Sequence, residues 1–201
     1  MLISDKNEFV FFHIAKTGGS SIQRALCESF SIPQDLDPLP PIHHMSVADL
    51  LIQFPHLSSY FKFAFVRNPF DKLLSGYSNF TQHADRFNYH LDMRVYKNFE
   101  EFCIDFPNSE WISDPHFRKQ SELLSVDGNL AVDYIGRFEN IPKSLTEVNL
   151  FLKGPGISLP TTKHRESSHL PYKDEYTNLS QQVIEDYFTE DLQLFNYSFL
   201  G

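Results

Sequence analysis

Cysteine is nearly absent: the 201 residues hold two, Cys27 and Cys103, far apart in sequence. Two thiols so placed make neither a disulfide framework nor the paired spacing of a structural zinc site, and Cys27, in a helical stretch, reads as a buried thiol. Long apolar runs are missing as well. No stretch approaches the roughly 20 residues of a membrane span. Charged Asp5, Lys6 and Glu8 lead straight into the first apolar strand, so neither a leader nor an integral membrane segment is expected. Repeats and low-complexity tracts are absent. Positive charge is scarce: 17 Lys and Arg against 26 Asp and Glu leave a net charge of −9. Such a chain has no general attraction for nucleic acid or other polyanions. Only short basic pairs interrupt the acidity: Arg94 with Lys97, Arg118 with Lys119, and Lys163 with Arg165.

What is present is bulk. Aromatic residues make up 15% of the chain and twenty of them are phenylalanine, which argues against disorder. The length suits one sizeable core, so residues 1–201 are expected to form a single domain. Apolar runs and helical periodicities alternate. The pattern predicts strands over 8–14, 61–67 and 131–137. Helices are predicted over 20–30, 46–53, 69–81, 98–106, 141–153 and about 179–195. Alternation of this kind implies an α/β domain with a mainly parallel central sheet flanked by helices.

One strand-to-helix junction carries chemistry. Phe9 to Ile14 has strand character, then come Ala15-Lys16-Thr17-Gly18-Gly19-Ser20-Ser21, then a helical stripe of Ile22, Ala25, Leu26 and Phe30. Glycines let the backbone approach an anion, and N–H groups at the helix start point at it. Lys16 adds a positive charge, and Thr17, Ser20 and Ser21 add hydroxyls. The nucleotide loop of P-loop NTPases places its lysine after the glycines. Here Lys16 precedes Gly18-Gly19, no earlier glycine lies in the segment, and no Asp-rich strand end offers a magnesium site. A nucleoside triphosphate kinase is therefore disfavoured, although a phosphotransferase or a non-catalytic nucleotide-binding module stays open. No metal is expected.

A second junction runs Val66-Arg67-Asn68-Pro69. Arg67 stands where a strand ends, Asn68 is a good N-cap and Pro69 a good first helical residue. Phe70, Leu73, Leu74 and Tyr77 form the buried stripe, and Ser75 lies off it. An arginine so placed suits bidentate contact with a phosphate.

Together, Lys16-Thr17-Gly18-Gly19-Ser20-Ser21, Val66-Arg67-Asn68-Pro69 and Ser75 resemble the paired cofactor motifs of carbohydrate-type sulfotransferases. The block Tyr134-Ile135-Gly136-Arg137-Phe138-Glu139-Asn140 and the aromatic end Phe195-Asn196-Tyr197-Ser198-Phe199 are similar to family segments too. The resemblance implies a single P-loop-like domain that uses 3'-phosphoadenosine 5'-phosphosulfate (PAPS) and releases adenosine 3',5'-bisphosphate. It implies a 5'-phosphosulfate held by Lys16 and the N–H groups from Gly18 to Ser21. The 3'-phosphate would be gripped by Arg67 and Ser75, and Lys16 and Arg67 would supply the countercharge without a metal.

The resemblance further implies a general base between the two motifs. His44-Met45-Ser46-Val47-Ala48-Asp49-Leu50 is similar to the base-bearing segment, which makes His44 the first candidate; His43, Glu139 and His116 are the alternatives. In the later loop the family's asparagine, serine and arginine have only Arg165, Ser167 and His169 as counterparts. With the acidic net charge, the acceptor is expected to be a neutral or weakly charged saccharide, a glycolipid or a small alcohol. Golgi members of the family carry a membrane anchor, and a chain that begins as this one does is expected to be cytoplasmic.

Overall fold

Short runs build the sheet, the central two rich in phenylalanine. β1 (Leu2–Ser4) pairs antiparallel with β2 (Phe9–Phe12), Leu2 opposite Phe11. α1 (Gly19–Phe30) and α2 (Val47–Gln53) precede β3 (Phe61–Val66), which is parallel to β2. α3 (Pro69–Gln82), α4 (Phe99–Asp105) and α5 (Gln120–Leu124) follow. A small hairpin of β4 (Ser125–Val126) and β5 (Asn129–Leu130) leads to β6 (Tyr134–Arg137), parallel to β3. α6 (Ile141–Leu152), α7 (Tyr172–Glu175), α8 (Asn178–Tyr187) and α9 (Thr189–Leu194) complete the chain. The structure, a computed structural model, describes residues 1–33, 44–83, 91–159 and 169–201. His43, Lys163, Arg165 and Ser167 lie outside the described residues.

The chain divides into two compact units, Met1–Arg67 with Gln120–His164, and Asn68–Lys119 with Arg165–Gly201. The first holds the sheet, in the order β1-β2-β3-β6. Three parallel strands and one antiparallel edge strand, flanked by helices, make this an α/β fold with a mainly parallel sheet, as the alternation predicts. One face carries Phe9, Phe11, Phe63 and Phe65, which pack with Ile22 and Leu26 of α1 and Leu145 and Val148 of α6. Each such ring contributes about 1.5–3 kcal/mol by leaving water. A β-carbon on Gly136 would meet the Phe65 ring at 2.8 Å and Ser144 Cβ at 2.9 Å, so glycine lets α6 seat directly on β6. β2 and β3 run side by side, Phe12 opposite Ala64. Their carboxyl ends, where open α/β sheets bind ligands, are therefore neighbours.

The second unit is an aromatic core around α3. Phe70, Leu73 and Leu74 are buried as the stripe predicts, and Lys72, Ser75 and Gly76 are buried with them. Lys72 is tolerated because Nζ donates to the carbonyls of His116 (2.9 Å) and Arg118 (3.0 Å). Asn68 caps α3 through the Phe70 N–H (3.1 Å), and its Nδ2 donates to the Ser198 carbonyl (2.8 Å). Phe199 packs against the rings of Phe70, Tyr172 and Tyr176. The chain end is thereby tied to the start of α3.

Three features differ from the sequence-based expectation. β1 is too short to show a period, and it forms because β2 offers an open edge. The turn Asp127-Gly128, with φ values of 50° and 77°, folds β4 and β5 into a hairpin, as an Asp-Gly pair favours. The helix expected over 179–195 is broken at Phe188, where Thr189 Oγ1 donates back to the carbonyls of Glu185 (3.0 Å) and Asp186 (2.9 Å). Such back-bonding competes with helix continuation. Cys27 and Cys103 are both buried and neither is in a disulfide. Among the described residues no helix is long and apolar enough to cross a membrane.

Candidate functional site

The β2–α1 junction is a strained turn. Lys16 adopts φ 68° and Gly18 φ 77°, both left-handed. For glycine this conformation is free, whereas for lysine it costs roughly 1–2 kcal/mol. Two contacts hold it. Thr17, fully buried, donates from Oγ1 to the Ile14 carbonyl at 2.9 Å, and Arg67 Nη1 donates to the Lys16 carbonyl at 3.0 Å. A hydrogen bond from a charged group contributes about 1.5–3 kcal/mol, enough to offset the strain at Lys16. Strain kept at a turn in this way is characteristic of ligand-binding loops.

Gly18 caps α1, and its carbonyl accepts from the N–H groups of Ser21 and Ile22, both at 3.1 Å. The N–H of Ser21 is thus drawn into the first turn. Those of Gly18, Gly19 and Ser20 lie ahead of the first intrahelical bonds, which makes this end of a twelve-residue helix attractive to an anion. Ser20 is exposed, and Lys16, Gly18 and Ser21 are half-buried. Side chains crowd the glycines from behind. A β-carbon on Gly18 would lie 3.0 Å from Ile141 Cδ1, and one on Gly19 would lie 2.0 Å from His13 Cδ2. Together the open backbone, the lysine and the adjacent arginine suit an oxyanion such as a phosphate or sulfate.

Arg67 follows the last residue of β3 and is 95% buried, at 5% exposure. Its guanidinium lies over the Phe138 ring, 4.1 Å from the centroid, a placement that suits a desolvated cation. Its backbone is held by Gln120, whose Oε1 accepts from the Arg67 N–H and whose Nε2 donates to the Arg67 carbonyl, each at 2.9 Å. Phe138 stands in the block 134–140 singled out by the sequence. In the sequence Gln120 carries no mark, since a glutamine beside basic residues reads as surface; folding alone brings it to Arg67, 53 positions away.

His44 is half-buried just before α2, which Ser46 caps as predicted, accepting from the Asp49 N–H at 3.1 Å and donating to Asp49 Oδ2 at 2.6 Å. The His44 ring lies 6.0 Å from that of His13, edge to face. Through His13 it is linked to Gly19 and so to the start of α1. Lys16, Gly18, Gly19, Arg67 and His44 thus belong to one connected neighbourhood in the first unit. Among the alternatives for the base, Glu139 is exposed. His116, in the second unit, pairs through Nδ1 with Asp114 Oδ1 at 2.9 Å. Ser75, also in that unit, is fully buried on α3. Among the described residues no group of three or more His, Cys, Asp or Glu is placed to hold a metal ion.

The profile of the sulfotransferase family matches residues 1–198. The chain is similar to human carbohydrate sulfotransferase 9, with 21% identity over 98% of the chain and 52% of the relative. It is similar to mouse carbohydrate sulfotransferase 14, with 22% identity over 98% of the chain and 60% of the relative. Rat carbohydrate sulfotransferase 11 is 23% identical over 98% of the chain and 67% of the relative. The chain therefore spans about half to two-thirds of the length of these relatives. No solved structure matches it.

Proposed function

From the premise that this chain belongs to the sulfotransferase family, we propose that it is an enzyme transferring a sulfuryl group from PAPS to a hydroxyl of a saccharide or glycan-type acceptor. The observation that carries this reading is the bond from Arg67 Nη1 to the Lys16 carbonyl. Two motifs 51 residues apart, each read separately as an anion contact, are joined in one arrangement. A donor bearing both a 5'-phosphosulfate and a 3'-phosphate would use both.

In this reading Lys16 and the backbone N–H groups that open α1 hold the 5'-phosphosulfate, and Thr17 shapes the turn beneath it. PAPS supplies an activated sulfuryl group. As the acceptor oxygen bonds to sulfur, the bond from sulfur to the phosphate oxygen breaks and negative charge grows on that oxygen. Lys16 Nζ stabilises this charge, with backbone dipoles already oriented toward it. Arg67 holds the 3'-phosphate, and its planar cation, stacked on Phe138, is pre-organised to do so. His44 accepts the proton that the acceptor hydroxyl loses. As in phosphoryl transfer, positioning and charge stabilisation do most of the work.

The names of the relatives speak of carbohydrate, and the net charge of −9 favours a neutral or weakly charged acceptor over a polyanion. Neutral saccharides, glycolipids and small alcohols are the classes to try. The test is to supply PAPS labelled in its sulfate to the purified protein with a panel of such acceptors, without added metal. Label in the acceptor, with stoichiometric adenosine 3',5'-bisphosphate, is the expected result. Transfer of the γ-phosphate of ATP to the same acceptors, with none from PAPS, would replace this reading by phosphotransfer.

A further inference from the structure

The geometry points to Gln120 as a positioning residue: we propose that it aims Arg67 at the nucleotide's 3'-phosphate, acting through Arg67 rather than by its own contact. This rests on the sulfotransfer reading above. The argument begins where the sheet stops. β6 pairs with β3 as far as Val66 opposite Arg137, so Arg67, the residue that follows β3, has passed the last pair of the ladder. Its backbone N–H and carbonyl still need partners in a buried setting. Gln120 supplies both, accepting one bond and donating the other at 2.9 Å. A primary amide side chain has the same donor and acceptor as a peptide group, so Gln120 extends the ladder by one step.

Gln120 is wholly buried at the first position of α5. Fixing both backbone groups fixes the direction in which the Arg67 side chain leaves the strand. That direction brings the guanidinium over Phe138 at 4.1 Å and Nη1 to the Lys16 carbonyl at 3.0 Å. Methionine has nearly the shape of glutamine and neither hydrogen-bonding group, which separates filling from aiming. A side chain that merely filled space would be replaceable by it.

The test compares wild type, Gln120→Met and Gln120→Glu by calorimetric titration with adenosine 3',5'-bisphosphate and with AMP, alongside thermal unfolding without ligand. Wild type should prefer the bisphosphate. In Gln120→Met that preference should shrink by roughly tenfold, the scale of one weakened charge-assisted contact, while AMP binding changes little. Gln120→Glu keeps the acceptor and loses the donor; it should lose preference to a lesser degree, and it carries the test if the methionine variant does not fold. In an Arg67→Ala background, Gln120→Met should cause no further loss of preference. An unchanged preference in a folded variant overturns the proposal, and so does an equal loss for both nucleotides, which would mark Gln120 as structural. Absence of any preference in wild type would instead overturn the sulfotransfer reading, and the proposal with it.

Discussion

The ring of His13 occupies the space that a β-carbon on Gly19 would need: Cδ2 would lie 2.0 Å from it and Nε2 2.3 Å. Glycine at this position is thus required by a neighbour, since its backbone is not left-handed and any residue would adopt it. The contact fixes how the residue that follows β2 meets the first residue of α1.

Gly19→Ala must therefore push His13 away. Crowding a packed site in this manner costs about 1–3 kcal/mol, and the displaced ring disturbs the turn proposed to hold the phosphosulfate. Thermal unfolding should show the loss, and titration with adenosine 3',5'-bisphosphate should show weaker binding. Adding His13→Ala makes room, so the double variant should regain much of both. If the double variant is no better than Gly19→Ala alone, the clash is not the cause.

Arg67→Ala removes both the stacked cation and the bond to the Lys16 carbonyl. Affinity for adenosine 3',5'-bisphosphate should fall by about 1.5–3 kcal/mol, the scale of a charge-assisted bond. AMP binding should fall less. Arg67→Lys should not restore the wild-type preference, because an ammonium cannot lie as a plane over Phe138 while reaching both partners. Titration of the three proteins with both nucleotides decides this, and equal losses for the two ligands would argue against a 3'-phosphate contact.

Much of this arrangement was legible in residues alone. Periodicity located β2, α1, β3 and α3 because each carries several large apolar side chains, and local chemistry placed the caps Ser46 and Asn68. The Gly18-Gly19 pair marked the turn that joins β2 to α1. Gln120 and the stacking of Arg67 on Phe138 did not show, since both depend on which distant segments the sheet order brings together. In the sequence His13 is one residue of the strand-like run Phe9 to Ile14. Its fit against Gly19 requires coordinates, because no spacing rule links a strand-end ring to a missing β-carbon six positions later. Thr17 shows a further limit: composition says that a hydroxyl is present, and only the structure shows it donating to the Ile14 carbonyl.

Lys16→Ala tests whether the lysine acts on the transition state. Loss of one donor to developing charge lowers turnover by roughly 10²–10³. Affinity for the nucleotide product should fall much less than that. Steady-state kinetics with product titration separates the two, and parallel losses would make Lys16 a ground-state anchor only.

Alkaline stability reports on the sheet rather than on the site. Burial first, and then the bond from its hydroxyl to Glu147 Oε2 at 2.6 Å, push the pKa of Tyr134 up to about 12. An unfolded tyrosine titrates near 10. The raised value means that the neutral form favours the fold. Its contribution is fully present below about pH 10 and is lost as pH rises through 12. Tyr134→Phe should thus show a shallower decline of stability between those limits than wild type, measured by denaturant unfolding at a series of pH values. Identical slopes would mean that other groups govern alkaline unfolding.

His44→Ala addresses the proton that the acceptor must lose. His44 stands just before α2, its ring 6.0 Å from that of His13, which packs on the start of α1. In the proposed reading, a base in that neighbourhood would serve a hydroxyl facing the cradle. The variant should bind PAPS as wild type does and turn over roughly 10²–10⁴ more slowly, the range for loss of a general base. In wild type, activity should fall on acidification, because only neutral imidazole accepts a proton, and the variant should lose that acid limb. His43→Ala is the necessary control for so close a neighbour, and Glu139→Gln and His116→Asn cover the other candidates. Near-normal turnover in His44→Ala, with loss in one of these, would move the base and leave the mechanism intact. Full activity in all four would mean that transfer proceeds without a protein base, with the acceptor's proton passing to solvent or to the departing nucleotide.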